Sequence, residues 1–252
     1  MLSRNYLAAA AIAALMAASI GVSSARATGF SNGGFESGDF TGWTKDGGSW
    51  DYGIGNYTFT GDPGQSAIVT AGEDPLLASY GVHNINNVYS GTYSARLNSN
   101  DGGNYHFSTI SQTAVWTDPN IYFAWRTVLQ DPGHEHDAEP HFSLKLEDLT
   151  TNTVLYSTLF AADTMPANIK NIIGDYTYTD WQIVNLDASA VVGDTLKLTL
   201  LASDCAYGAH DGAAYLDGFG AILPPEGSGV PEPASLSLLA LGAAGLLLRR
   251  RA

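Results

Sequence analysis

The sequence has one cysteine and few basic residues. Cys205 is the single cysteine among 252 residues, so no intramolecular disulfide can form. Eleven Lys and Arg stand against 25 Asp and Glu, which gives a formal net charge of −14 at pH 7. This negative charge repels nucleic acid and anionic lipid and is compatible with binding of divalent cations. We expect Cys205 to be a small buried hydrophobic residue.

Short patterns of several enzyme classes are also absent. There is no Gly-x-Ser-x-Gly elbow, no phosphate loop, and no dinucleotide fingerprint within a strand-helix unit. Among so many acids, some carboxylate pair would have a glycosidase-like separation by chance, so acid abundance does not indicate hydrolysis. Cys205 and His210 are close in sequence, but catalysis needs spatial alignment. The sequence therefore predicts a protein that is not an enzyme, with a metal-dependent or glycoside-acting hydrolase as the third alternative.

Helical periodicity is nearly absent between the termini, and short alternating or β-branched and aromatic runs replace it. Alternation is clearest at Phe142, Leu144 and Leu146, and at Leu196, Leu198 and Leu200. Thr150 to Thr153 fits a hairpin turn. The pattern predicts an all-β, antiparallel β-sandwich with nine strand candidates: Ser66 to Thr70, Thr92 to Leu97, His106 to Trp116, Ile121 to Leu129, His141 to Leu149, Val154 to Phe160, Trp181 to Leu186, Thr195 to Leu201 and Ala213 to Ile222.

The amino terminus has the features of a secretory signal peptide. Arg4 precedes an almost purely apolar stretch from Leu7 to Val22, and small residues follow at Ala25 and Ala27, where signal peptidase reads the chain. We expect a signal helix within residues 1–27 and cleavage after Ala27. An uncleaved membrane anchor is the alternative.

The carboxyl terminus combines a proline-rich motif, an apolar stretch and a basic end. The apolar stretch, residues 234–248, satisfies its backbone in lipid only as a helix, and its fifteen residues make a short transmembrane span. The basic end favours the cytoplasm. An ordinary tail anchor, whose helix the prolines merely stop, is the alternative. The flanking residues are Val230, Pro231, Glu232 and Pro233 before the span, and Arg249, Arg250 and Arg251 after it.

That order of features closely resembles the PEP-CTERM sorting signal. The resemblance implies export, transient retention in the inner membrane with the preceding domain on the periplasmic side, and recognition by an exosortase. The final location would be the cell surface or an extracellular matrix. Between the signal peptide and the sorting signal at 230–252, the sequence predicts a domain at 28–223 and a flexible spacer at 224–229. Residues 28–230 hold six basic against 24 acidic residues, a net charge of −18.

Three segments of the domain resemble galactose-binding-like jelly rolls, which include many carbohydrate-binding modules. They are Asn32 to Trp43 at the opening, Gly91 to Leu97, and Ala214 to Phe219 at the end. The resemblance implies one structural Ca2+ between the first and last strands, with Glu36 and Asp217 as its acidic ligands. Calcium takes six to eight oxygen ligands, to which glycine-rich turns can contribute carbonyls. Gly218 stands where the family often has a second polar residue. The alternative is that both acids cap turns.

A histidine-rich segment lies between prolines at 132–141. His134, His136 and His141 could bind a transition metal, because the first two would share a face of an extended chain. The prolines place the segment in a loop, not on the helix of a His-Glu-x-x-His site, and a solvated acidic loop is the favoured interpretation. A second polar cluster, formed by Asp204, His210 and Asp211, has the same ambiguity.

Two functional classes follow. The first is a non-catalytic cell-envelope or extracellular-matrix protein, processed by signal peptidase and exosortase and associated with exopolysaccharide. The second is a carbohydrate-binding module that stacks exposed rings on sugars. Trp50, Tyr52 and Tyr57 are the candidates for glycan binding, because they lie in a glycine-rich segment, whereas Trp43 is expected in the core.

Overall fold

The computed structural model describes residues 29–98 and 105–220. The predicted signal peptide, with its cleavage site at Ala25 and Ala27, the spacer and the sorting signal lie outside these ranges. Within them, no helix is long and apolar enough to cross a membrane.

Thirteen strands and one short α-helix form the described part of the chain. In chain order they are β1 Thr44–Trp50, β2 Tyr57–Phe59, β3 Ala67–Thr70, α1 Pro75–Ser79, β4 Tyr93–Leu97, β5 His106–Val115, β6 Asn120–Gln130, β7 His141–Asp148, β8 Thr153–Ala161, β9 Asn171–Ile173, β10 Tyr176–Tyr178, β11 Gln182–Asp187, β12 Thr195–Ser203 and β13 Gly212–Gly220. Two 3-10 turns, His136–Ala138 and Ser189–Val191, complete the elements.

The strands form two antiparallel sheets. The first has the order β2-β1-β5-β12-β7-β8, and the second has the order β3-β4-β13-β6-β10-β9, with β11 also paired to β6. The main core lies between the sheets, where Phe142, Leu144 and Leu146 face Leu97, Trp125 and other buried side chains. Alternate residues of β7 and β12 are buried, as their sequence pattern predicts. The all-β sandwich is therefore confirmed, and so are all nine predicted strands and the turn between β7 and β8.

Four strands were not predicted, and β1 shows why. Its sequence, TKDGGSW, has no apolar alternation. Gly47 and Gly48 are needed there because the neighbouring strands approach closely: a Cβ on Gly47 would collide with the carbonyl oxygen of Phe107, and one on Gly48 with that of Thr58. The neighbouring strands require these glycines, and the sequence of β1 alone does not show which strands lie beside it.

The outer face of the second sheet is covered by the segment that contains α1. Leu77 and Ile85 of this segment pack on Val128, Tyr176 and other side chains of the sheet, forming a second apolar cluster. Asp74 caps α1 by accepting hydrogen bonds from the backbone N–H groups of the next turn. A cleft of about 320 Å³ opens between this cover and Trp181, where the chain passes from β10 to β11.

Candidate functional site

Three loops meet at one end of the sandwich, which we call the loop end. They are residues 51–56 between β1 and β2, 131–140 between β6 and β7, and 204–211 between β12 and β13. Backbone hydrogen bonds join them: the N–H of Gly53 donates to the carbonyl of Asp137, and that of Ala206 donates to the carbonyl of Ala138, both at 2.9 Å. A third apolar cluster, which includes Trp50, Phe107 and Ala206, supports the loops from below.

The loop end brings two histidines and the cysteine together. His134 Nε2 lies 3.1 Å from His210 Nδ1, and Cys205 Sγ lies 3.3 Å from the same nitrogen. One ligand atom from each of the three residues falls within 4.8 Å of the other two. Cys205 is fully buried, as the sequence predicts, whereas both imidazoles are partly exposed.

The 204–211 loop holds Cys205 and His210 side by side through its own backbone. The N–H of Cys205 donates to the carbonyl of His210 at 3.0 Å, and the N–H of Gly208 donates to the carbonyl of Cys205 at 3.2 Å. Ala209, directly before His210, has a φ of 144°, which costs free energy for a residue with a side chain. The surrounding bonds stabilise this turn and fix the direction of the imidazole.

Protonation in this cluster does not favour nucleophilic catalysis. Burial raises the pKa of the Cys205 thiol, and burial together with the proximity of His134 lowers the pKa of His210. A reactive cysteine needs a stabilised thiolate. The geometry therefore aligns Cys205 with an imidazole, but the surroundings favour a neutral thiol next to a neutral ring.

The other two predicted metal ligands lie elsewhere. His136 is exposed and pairs through Nδ1 with Asp163 at 3.0 Å. The 3-10 turn at His136–Ala138 breaks the extended backbone that would place His134 and His136 on one face. A shared site for His134, His136 and His141 is thus not formed.

His141 is a core histidine and not part of a solvated loop. It is fully buried, and burial lowers its pKa to about 4. Both ring nitrogens have partners: Nε2 lies 2.5 Å from the Tyr57 hydroxyl and Nδ1 lies 2.7 Å from the Ser203 hydroxyl. The neutral ring links the β2 edge of the first sheet to its centre, so its nitrogens are not free for a metal ion.

Of the three predicted sugar-stacking rings, only Tyr52 is well exposed, at 48%. Trp50 is 3% exposed and donates from Nε1 to the carbonyl of Asp204 at 2.9 Å. Tyr57 is partly buried against Phe107 and His141. A buried ring has no free face for a sugar, so Trp50 is corrected to a structural residue and Tyr57 becomes a partner of His141.

Two further exposed tyrosines lie at the loop end. Tyr207 is 48% exposed, donates its hydroxyl to Glu135 at 3.1 Å, and places its ring 4.8 Å from that of His134. Tyr105 is 45% exposed, and its ring lies against Gly208, where an added Cβ would be 3.2 Å from its Cζ atom. We call Tyr52, Tyr105 and Tyr207 the tyrosine patch. Sequence reasoning missed the last two because exposure depends on how the loops pack.

Glu36 and Asp217 both bind the segment that leads into β4. Glu36 accepts from the backbone N–H groups of Thr92 and Tyr93, at 2.9 and 3.0 Å. Asp217 accepts from those of Tyr89, Ser90 and Gly218, at 2.9, 3.0 and 2.6 Å. Backbone N–H groups are not calcium ligands, so these contacts favour the turn-capping alternative. A structural Ca2+ stays a prediction.

Comparison with known proteins gives one family match and several similar structures. Residues 229–251 match the PEP-CTERM protein-sorting motif. No curated protein sequence matches the chain. A structure of TmCBM61 in complex with β-1,4-galactotriose is similar with a TM-score of 0.40 and 16% identity, over 75% of this chain and 92% of that chain. CBM28, a non-crystalline cellulose specific carbohydrate-binding module, gives a TM-score of 0.33 and 14% identity, over 73% and 90%. CBM27-1 of Caldicellulosiruptor saccharolyticus, in complex with mannohexaose, gives 0.30 and 14%, over 50% and 73%.

Proposed function

We propose that the chain is an exported, non-catalytic protein of the cell envelope or extracellular matrix, delivered through its carboxyl-terminal sorting signal. The match of residues 229–251 to the PEP-CTERM motif carries this proposal. Signal peptidase removes residues 1–27, the domain crosses the inner membrane, and exosortase acts near Pro231. The raised pKa of the Cys205 thiol supports a role without nucleophilic catalysis by this residue.

Intact mass and cell fractionation of the native protein test this route. In the host strain we expect a mature form that begins after Ala27, lacks the tail beyond about Pro231, and leaves the inner membrane. In a strain that lacks the exosortase, the protein should keep residues 234–252 and remain in the membrane. Replacing Pro231, Glu232 and Pro233 together with alanine should have the same effect, whereas Pro224→Ala in the spacer should not. Retention of the tail in both strains would contradict the proposal.

We further propose that the released domain binds glycans at the loop end. The tyrosine patch supports this, because three large rings at the loop end are each about half exposed. Tyr207 belongs to the 204–211 loop, the ring of Tyr105 lies against Gly208 of that loop, and Tyr52 belongs to the 51–56 loop. Tyrosine rings provide a flat apolar face for a sugar ring and a hydroxyl for hydrogen bonding. The exposed side chains of Asp51, Glu135 and Asp137 provide hydrogen-bond acceptors at the same end. An exopolysaccharide at the destination is the proposed ligand class.

A glycan array followed by titration with the mature protein tests this second proposal. Substituting Tyr52, Tyr105 or Tyr207 with alanine should each weaken binding about tenfold, which corresponds to about 1.4 kcal/mol. Tyr80→Ala is the matched control, because Tyr80 is also 45% exposed but follows α1. If Trp181→Ala loses glycan binding while the tyrosine variants keep it, the ligand binds in the 320 Å³ cleft that Trp181 lines, which would contradict the loop-end site.

A further inference from the structure

We propose that His134, Cys205 and His210 bind one transition metal ion of the Zn2+ and Cu2+ class. The proposal is independent of glycan binding. It rests on the distances between the ligand atoms of the cluster and on the chemistry of its three donor atoms.

The spacings are close to those of ligands around one ion. Tetrahedral Zn2+ with bonds of about 2.0–2.1 Å to nitrogen and about 2.3 Å to sulfur places two nitrogens about 3.3 Å apart, and nitrogen and sulfur about 3.6 Å apart. The corresponding distances here are 3.1 Å between His134 Nε2 and His210 Nδ1, and 3.3 Å between His210 Nδ1 and Cys205 Sγ. The third pair, His134 Nε2 and Cys205 Sγ, lies within the 4.8 Å that encloses all three ligand atoms. An ion would therefore open the first two distances by a few tenths of an ångström and bring the third to about 3.6 Å.

The donor set selects the class of metal. One thiolate and two imidazoles suit Zn2+ and copper, whereas Ca2+ and Mg2+ prefer oxygen ligands. Binding would form bonds to both nitrogens and to the sulfur, and would release the thiol proton of Cys205 to solvent. The net charge of −18 on residues 28–230 raises the local concentration of cations.

An ion bound by these three residues would also connect two of the loops at the loop end. His134 belongs to the 131–140 loop, while Cys205 and His210 belong to the 204–211 loop. A shared ion would join the two loops and hold Tyr207, whose ring contacts that of His134. Three protein ligands leave one tetrahedral position for water or another oxygen ligand, and the partly exposed imidazoles place the site near the surface.

Metal titration of the mature protein tests the proposal without requiring any variant. After removal of metals with a chelator, Co2+ should bind in a ratio of one per chain and produce thiolate-to-cobalt charge-transfer absorption. Because Cys205 is the single cysteine of the chain, that absorption reports its thiolate alone. Competition with Zn2+ should abolish the cobalt spectrum, and addition of Cu2+ should produce an intense visible band if the site takes copper. Absence of any thiolate band with every ion would overturn the proposal.

Single substitutions test which side chains bind the metal ion. Cys205→Ser and His210→Ala should each weaken metal binding at least a hundredfold, while His136→Ala, in the same loop as His134 but paired with Asp163, should bind as the unaltered protein does. Zn2+ should raise the thermal midpoint of the unaltered protein and of His136→Ala only. Thermal unfolding of the metal-free variants shows whether they fold. Equal binding by folded Cys205→Ser and His136→Ala would contradict the assignment.

Discussion

Replacing Asp74 with alanine should lower the free energy of unfolding by about 3–5 kcal/mol, because the substitution leaves the buried charge of Arg126 unpaired. Both side chains are fully buried, and Arg126 Nη2 lies 2.8 Å from Asp74 Oδ2. Arginine keeps its proton in a protein interior. The missing carboxylate therefore cannot be compensated by neutralising its partner.

The carboxylate of Asp74 has more than one role at this position. It accepts from the Tyr215 hydroxyl at 2.8 Å and caps α1 through the N–H groups of Leu76 and Leu77. Interaction with Arg126 lowers the pKa of Asp74 although burial acts in the opposite direction. The guanidinium also stacks over the ring of Tyr215, with 3.8 Å between Cζ and the ring centroid. Loss of Asp74 should therefore detach α1 from the second sheet before the sandwich itself unfolds.

Urea unfolding and hydrogen exchange measure the two effects separately. Exchange should accelerate in residues 74–89 of Asp74→Ala more than in β7 or β12. Arg126→Met with Asp74→Ala should be more stable than Asp74→Ala alone, because the double variant buries no unpaired charge. Glu147→Ala is the control: its pair with Lys145 is partly exposed and should contribute less than about 1 kcal/mol. If Asp74→Ala and Glu147→Ala cost the same, the buried pair does not stabilise the cover.

A strand could be predicted where its own sequence alternates apolar and polar residues. Phe142, Leu144 and Leu146 alternate with polar residues because one face of β7 meets the core, and that pattern is visible without knowledge of the partners. The short strands β9 and β10 have only three residues each, which is too few for a periodicity. In β1 the two glycines remove the pattern altogether, although the sheet requires them.

The sequence indicates the candidate ligands only one at a time, because they are far apart along the chain. It predicts His134 as a candidate ligand, but the structural neighbour of His134 is His210, which is 76 residues away. The histidines close to His134 in sequence diverge in the structure: His136 turns towards Asp163, while His141 enters the core. The short sequence separation of Cys205 and His210 fits two metal ligands as well as a nucleophile and its base, and it is the signal in the sequence that indicates this part of the site.

The contribution of Glu139 to the free energy of unfolding of the metal-free protein should fall as the pH rises from about 4.5 to 7.5. Glu139 is fully buried, and within the described residues neither carboxylate oxygen has a hydrogen-bond partner. Burial raises its pKa to about 7, and the negative charges of Asp131 and Asp163 raise it further. The nearby backbone N–H of His134 and the proximity of His136 only partly offset this increase.

The sign of this effect follows from proton binding. Between the unfolded pKa of about 4.3 and the folded pKa, the folded state holds a proton on Glu139 that the unfolded state has lost. The contribution of Glu139 to stability is therefore greatest below the unfolded pKa, decreases through this window, and is constant above the folded pKa. The loss due to Glu139 should be on the order of 2–3 kcal/mol.

Unfolding by urea at a series of pH values, with a chelator present, measures this dependence. Between pH 4.5 and 7.5, Glu139→Gln should lose less stability than the unaltered protein, by on the order of 2–3 kcal/mol, because glutamine is neutral throughout. Glu73→Gln removes an exposed carboxylate and should leave the pH dependence of the unaltered protein unchanged. The quantity to compare is the change of the free energy of unfolding with pH. The absolute stability of Glu139→Gln is not informative, because a buried amide without hydrogen-bond partners lowers stability at every pH. An unchanged slope in Glu139→Gln would mean that the carboxyl is ionised in the folded protein, and its neighbours in the 131–140 loop must then rearrange to solvate it.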